Sequence, residues 1–322
     1  MSRVAVAAGA VVALLALAGS GMAETLPSRT CLYVSSYHPG YHWNDGIERG
    51  LEKSLAGVCR LERFYMDTNR NPAPEFSQAK GAEAKALIEA AKPDLVVACD
   101  DNASKDLVKP FLKDAPIPVV FCGVNWTVAE YGYPYANTTG MIEVAPNKEV
   151  VQEAKALLKG ASSFAFLAAD VPTQHKEVAR LDVIAKRESL EMQALLVKSF
   201  ADWQAAFRQA QERDFVVLGN PVGIPDWNGP LAKTFVAAES RKLTTSFGIF
   251  MRPYSVFSMV NVPDEQGEWA GEAAKLILDG RKPADIPIVA NRRWDLFFNP
   301  ALAAKAGIHL PDHILQRAVK ID

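Results

Sequence analysis

Residues 93–125 read PDLVVACDDNASKDLVKPFLKDAPIPVVFCGVN, and this stretch decides the fold. A short apolar run (95–98) ends in Cys99-Asp100-Asp101-Asn102, an amphipathic stretch follows, and a second apolar run (119–121) ends in Cys122-Gly123-Val124-Asn125. Short apolar runs bounded by turn formers suit strands buried on both faces, as in parallel sheets. Two parallel strands need a crossover, usually a helix. In open α/β sheets, ligands bind outside the carboxyl ends of the strands. Both carboxyl ends here carry polar side chains that a core would reject, so the stretch reads as a scaffold presenting a small-molecule site.

The chain has 322 residues, more than one hydrophobic core usually organises, so about two domains are expected. Its net charge of −2 gives no footprint for nucleic acid. Residues 1–23 read as a cleavable signal peptide: Arg3 precedes an apolar and small-residue run (4–18), and Gly21-Met22-Ala23 supplies small residues at the cleavage position. No cysteine stands there to carry a lipid. No later run approaches a membrane span, so the mature chain is expected to be soluble and periplasmic. Four cysteines in an oxidising compartment allow three full pairings. Cys31 and Cys59 begin the first two expected strands, which favours a 31–59 bridge; the alternative is four buried free thiols packing as small hydrophobes.

Outward from the opening stretch, a βα rhythm continues in both directions. Strands are expected at 31–36 and 61–66, with a helix capped by Asn44 or Asp45 between them and a helix over 75–91. A short strand (139–143) ends this block. The rhythm then restarts with strands at 163–169, 192–197, 215–218 and 245–250, separated by helices at 148–159, from Pro172-Thr173 onward, at 203–211 and at 230–241. Two successive βα blocks argue for two α/β lobes. The tail differs: a strand at 255–262, a helix capped by Asp264, proline punctuation and a short helix at 299–307.

Six segments in this order resemble one family: SSYHPGYHWNDGIERGL (35–51), YMDTNR (65–70), KPDLVVACDDNA (92–103), PVVFCGVN (118–125), TGMIE (139–143) and LILDGRKPADIPI (276–288). The chain is similar to periplasmic solute-binding proteins of ABC transporters with the type I fold, and within them to tryptophan and tyrosine binders; the same module serves as the sensor of some histidine kinases. The second lobe matches less well: Asp170-Val171-Pro172-Thr173 lacks a glycine after the threonine. The resemblance implies two Rossmann-like lobes with parallel sheets and a hinged cleft, crossed three times by the chain. It assigns 24–143 with 255–288 to lobe 1 and 144–254 with 289–322 to lobe 2.

The enzyme reading lacks support in motifs, with no GxSxG, P-loop or GxGxxG after a strand. His38 and His42 have the spacing of a zinc helix, but Pro39-Gly40 between them breaks a helix. Cys99 or Cys122 near His38 as a nucleophile is weighed against simple packing at a strand end. No catalytic residue, metal or cofactor is therefore assigned.

Ligand contacts are expected at strand ends. Ser36, Tyr37, Tyr41 and Trp43 leave the first strand and open a helix, whose N–H groups favour a carboxylate or phosphate. Asp100, Asp101 and Asn102 exceed what one helix cap needs, and suit an ammonium or a set of hydroxyls. Asn125 and Trp126 follow the fourth strand, and Glu143 stands at the first crossover, facing the cleft or holding the hinge. On the second lobe the candidates are Asp170, Thr173 (alternatively a cap), Asn220 and Trp227. Carboxylates with aromatics and a helix end point to an amino acid or related small amine, with a sugar or nucleoside as the alternative. The expected partners are this ligand and an inner-membrane ABC permease, with the chain a monomer; the runner-up is a sensory role read by a membrane kinase or cyclase.

Overall fold

The computed structural model describes residues 29–321 together with Met1. The rest of the expected signal peptide lies outside the described residues. Six strands form the first sheet: β1 (Thr30–Ser35), β2 (Arg60–Tyr65), β3 (Leu95–Cys99), β4 (Val119–Asn125), β5 (Thr138–Glu143) and β11 (Val289–Ala290). They run in the order β11-β5-β4-β3-β1-β2, with every pair parallel. The opening stretch supplies the two central strands and the helix between them, α3 (Asp100–Ala103), which continues as a π-helix over Ser104–Leu112.

The period-2 geometry of a strand explains the unbroken apolar runs. Leu32 and Val34 of β1 face one core with Val96, Ala98, Val119 and Phe121. Cys31 and Tyr33 face the other with Leu95, Val97, Val120 and Cys122. Two disulfides lie in this second core. Cys31 joins Cys59 with a Cα–Cα separation of 5.9 Å. Cys99 joins Cys122 at 4.5 Å, the two residues being direct partners in the β3–β4 register.

The second sheet holds β6 (Ser163–Ala169), β7 (Glu191–Val197), β8 (Phe215–Leu218), β9 (Leu243–Ser246), β10 (Phe257–Asn261), β12 (Trp294–Phe298) and β13 (Ala318–Lys320). Its order is β13-β12-β10-β9-β8-β6-β7, parallel except where β12 runs antiparallel to β10. Its core centres on Phe164, Phe166, Trp203, Phe207 and Phe215. The strand expected over 245–250 stops at Ser246; the chain then turns into a 3-10 segment, Ile249–Tyr254, ahead of β10. Pro253, inside that segment, has no N–H to give a ladder, so no central strand runs through it.

The lobe boundaries shift accordingly. The strand expected to return to lobe 1 at 255 is β10, which pairs with β9 and β12 in the second sheet. Its buried FSMVN run fills a gap between two strands of lobe 2. The chain returns to lobe 1 only after Asn261, at helix α8 (Pro263–Leu278), and leaves again after β11 rather than at 288. Three connections therefore join the lobes, over residues 143–147, 261–263 and 290–294.

Helix α8 is locked onto helix α1 (His42–Leu55) by glycines that let the two backbones touch. A Cβ on Gly267 would stand 1.9 Å from the Ile47 carbonyl oxygen, and one on Gly50 would stand 2.4 Å from that of Asp264. Helix α1 starts at His42 with Tyr41 as its N-cap; neither Asn44 nor Asp45 caps it. Asp45 instead accepts from the Gly40 N–H (2.9 Å), closing the loop that leads in from β1.

Candidate functional site

The carboxyl ends of β1, β4, β5 and β9 converge on a cavity of about 620 Å³ between the lobes. Lobe 1 contributes Tyr37, Tyr41, His42, Trp43, Asn125 and Glu143. Facing them from lobe 2 are Asn220, the segment Phe247-Gly248-Ile249-Phe250, Arg252, and Val260 and Asn261 of β10. Tyr37 meets Tyr41 edge to face with ring centroids 4.9 Å apart.

Asp100 is the strut behind this aromatic wall. It is 1% exposed and holds a left-handed backbone (φ +75°). Trp43 Nε1–H donates to its Oδ1 at 2.8 Å, fixing the indole. Gly123 follows from this packing: its φ is +67°, and a Cβ there would lie 2.4 Å from Asp100 Oδ1. Burial pushes the Asp100 carboxyl well above the usual carboxylate range, against the Trp43 hydrogen bond, and the nearby Glu143 and Asp101 push the same way. Asp100 thus supports the wall from behind instead of lining the cavity.

Glu143 presents the cavity's own carboxyl. Burial raises its pKa to about 7, with further upward pressure from Asp101 and Glu177, while the Asn261 amide donating at 3.0 Å opposes the shift. Arg252 is the cavity's guanidinium. It lies 4.3 Å from the Phe297 ring centroid and donates from Nε to the Ile249 carbonyl (3.1 Å), and burial lowers its pKa from the usual value.

Asn125 also borders a second chamber of about 370 Å³, with Asp101, Trp126, Tyr131, Thr173 and Arg180 on its walls. Asp101 accepts from Asn125 Nδ2 (2.6 Å) and from the Tyr131 hydroxyl (2.7 Å). Arg180 of helix α5 (Pro172–Arg187) stacks 4.1 Å from the Trp126 ring centroid, a contact from lobe to lobe.

The expected residues therefore separate by position. Tyr37, Tyr41, Trp43, Asn125, Glu143 and Asn220 line the main cavity. Asp101, Trp126 and Thr173 line the second chamber. The others line neither. Ser36 donates to the Cys99 carbonyl (2.8 Å) and accepts from the Ala103 N–H (2.9 Å), so its hydroxyl ties the end of β1 to the β3–α3 junction. Asn102 donates to Thr68 Oγ1 (2.7 Å). Asp170 bonds His175 (2.7 Å) and pairs with Lys198 (3.4 Å). Trp227 packs into the aromatic cluster of Trp203, Phe200 and Tyr254.

The residues that the sequence reading missed lie chiefly on lobe 2: Phe247, Ile249, Phe250, Arg252, Val260 and Asn261. The proline after Arg252 was the available signal, since it marks irregular backbone just past a strand end, where cleft residues collect.

Two α/β lobes joined by three connections, with a polar and aromatic cavity between their strand ends, define a two-lobed binding protein of the type I periplasmic fold. The family model for ABC transporter substrate binding proteins matches residues 38–322, and the chain belongs to that family. Solved structures with the same fold include the ABC domain from Streptococcus pneumonia in complex with L-Trp (19% identity, 91% of this chain and 99% of that one, TM-score 0.59). A ligand-free, open substrate binding protein with adhesive properties from Clostridium difficile aligns at 12% identity over 91% of this chain and 99% of that one, with TM-score 0.70. A solute binding protein from R. palustris in complex with 4-hydroxybenzoate aligns at 15% identity over 80% and 83% of the two chains, with TM-score 0.56. Among curated proteins, none matches the chain in sequence. Among the described residues no helix is long and apolar enough to cross a membrane.

Proposed function

We propose that this chain is the periplasmic receptor of an ABC importer for an aromatic amino acid, which it hands to an inner-membrane permease. The observation that carries this reading is the charge balance of the main cavity. One carboxyl, Glu143, comes from lobe 1 and one guanidinium, Arg252, from lobe 2, and aromatic side chains line the same cavity. A zwitterion satisfies both: its ammonium meets Glu143 and its carboxylate meets Arg252. A simple amine would leave the guanidinium unanswered, and a simple acid would face Glu143. Tyr37, Tyr41, Trp43, Phe247 and Phe250 supply flat surfaces for the side group. A ligand held by both lobes favours the closed form by the energy of the contacts that only that form makes.

The test is titration calorimetry at pH 8 with L-tryptophan, L-tyrosine and L-phenylalanine. Tryptamine, lacking the carboxylate, and indole-3-propionate, lacking the amine, are the controls. The reading expects at least one amino acid to bind and both analogues to lose roughly tenfold or more. Equal binding of either analogue, or silence toward all three amino acids, contradicts it.

A further inference from the structure

A line of side-chain amides runs across all three connections between the lobes and ends at Glu143. The backbone N–H of Val144, in the first connection, donates to Asn291 Oδ1 in the third (2.7 Å). Asn291 Nδ2 donates to Asn261 Oδ1, at the start of the second (3.0 Å). Asn261 Nδ2 in turn donates to Glu143 Oε1 (3.0 Å), at the start of the first.

The direction of this chain is dictated at its far end. A backbone N–H only donates, so Asn291 must turn its oxygen to Val144. That leaves Asn291 its NH2 for Asn261, whose oxygen must accept it. Asn261 is then obliged to face Glu143 with NH2. Neither amide is free to flip without breaking a bond further along.

We propose that Asn291 and Asn261 are positioning residues that act on the ligand site through Glu143: together they keep a hydrogen-bond donor on its carboxyl, which favours the ionised form over the protonated one and keeps the group aimed into the cavity. Asn291 does this without lining the cavity. Because its members sit in or beside all three connections, the relay is whole only when the three connections keep their spacing, and the charge on Glu143 is thereby tied to the hinge. The proposal deepens the reading of Glu143 as the ammonium's partner and rests on it for its functional meaning.

Other charges bear on Glu143 as well. Asp101 and Glu177 oppose its ionisation, Asp100 is buried behind Trp43, and Tyr37, Tyr41, His42 and Arg252 line the same cavity. The test must therefore isolate the relay from this background, using neutral substitutions and no ligand.

Full-length mature protein labelled with carboxyl-13C glutamate is titrated by NMR, with Glu143→Gln identifying the Glu143 signal. The wild-type midpoint is compared with those of Asn291→Leu, Asn261→Leu and the double variant. A charge-assisted bond exceeds a neutral one by enough to shift a midpoint by about one pH unit. Asn261→Leu is expected to raise the Glu143 midpoint by about that amount, and Asn291→Leu by a clear fraction of it. The double variant should move no further than Asn261→Leu, because Asn291 acts only through Asn261. Asn291→Ser, whose hydroxyl both accepts and donates, is the milder variant should leucine prevent folding, and it should sit nearer wild type than the leucine variant does. An unmoved midpoint in the Asn291 variants, or additive shifts in the double variant, overturns the proposal. Should the shifts appear while Glu143→Gln leaves amino-acid affinity intact, the relay stands and the ligand reading falls.

Discussion

Glu143 makes ligand affinity depend on pH in a direction that the structure sets. Burial raises the pKa of its carboxyl to about 7, against the Asn261 hydrogen bond. An ammonium ligand binds the ionised form, so binding pulls this pKa down and releases the proton. The ionised fraction of a group with a midpoint of 7 is about 0.9 at pH 8 and about 0.1 at pH 6. The dissociation constant should accordingly rise roughly tenfold from pH 8 to pH 6, with about half a proton released per ligand at pH 7. Calorimetry with an aromatic amino acid in buffers of different ionisation enthalpy reads both quantities. His42 lines the same cavity, so Glu143→Gln is the necessary control: it should bind more weakly at pH 8 and show an affinity flat between pH 6 and pH 8. A wild-type affinity that is flat over that range, or a Glu143→Gln variant that keeps the slope, refutes the reasoning.

Stability measured without added ligand should follow the opposite course. A carboxyl whose folded pKa exceeds its unfolded value stabilises the fold at low pH and loses that contribution as pH rises through about 7, so thermal stability should fall between pH 5 and pH 8 by an amount that Glu143→Gln removes. Arg252→Ala should weaken amino-acid binding by about 1.5–3 kcal/mol in calorimetry while leaving the melting temperature within a few degrees, because within the fold its guanidinium meets only the Ile249 carbonyl, one turn away, and the face of the Phe297 ring. Asp100→Asn should be tolerated, since a neutral amide oxygen still accepts from Trp43, whereas Asp100→Leu should cost about 1–3 kcal/mol in urea unfolding by orphaning the indole N–H. Gly267→Ala should cost about 1–3 kcal/mol or more in the same assay, as its methyl would stand 1.9 Å from the Ile47 carbonyl oxygen.

The first lobe was legible because its central strands are short and apolar on both faces, as in residues 95–99 and 119–124, so the run itself announces burial and parallel pairing. What polar residues do at a strand end is another matter. Asp100 and Asp101 are adjacent and chemically alike, but the left-handed turn at Asp100 sends one carboxyl behind Trp43 and leaves the other on Asn125 and Tyr131. Nothing local distinguishes them. Arg252 was hidden because Thr, Phe and Ile over 245–250 read as one strand, whereas the ladder ends at Ser246 and the chain turns toward the cleft. The second crossing was displaced for a related reason: residues 255–262 look like any buried strand, and which sheet takes them depends on pairing with β9 and with the antiparallel β12. Asn261 and Asn291 are ordinary loop-edge asparagines in sequence. Their role exists only because Glu143, 118 residues before Asn261, is brought against it.

A crystal structure of the protein with whichever aromatic amino acid binds most tightly tests the central claim most directly. The account predicts the ammonium within hydrogen-bond distance of the Glu143 carboxylate, the carboxylate on the Arg252 guanidinium, and the ring among Tyr37, Tyr41, Trp43 and Phe250. A ligand seated in the chamber beside Trp126 and Arg180, or lying in the main cavity with neither charge answered by those two residues, would contradict it.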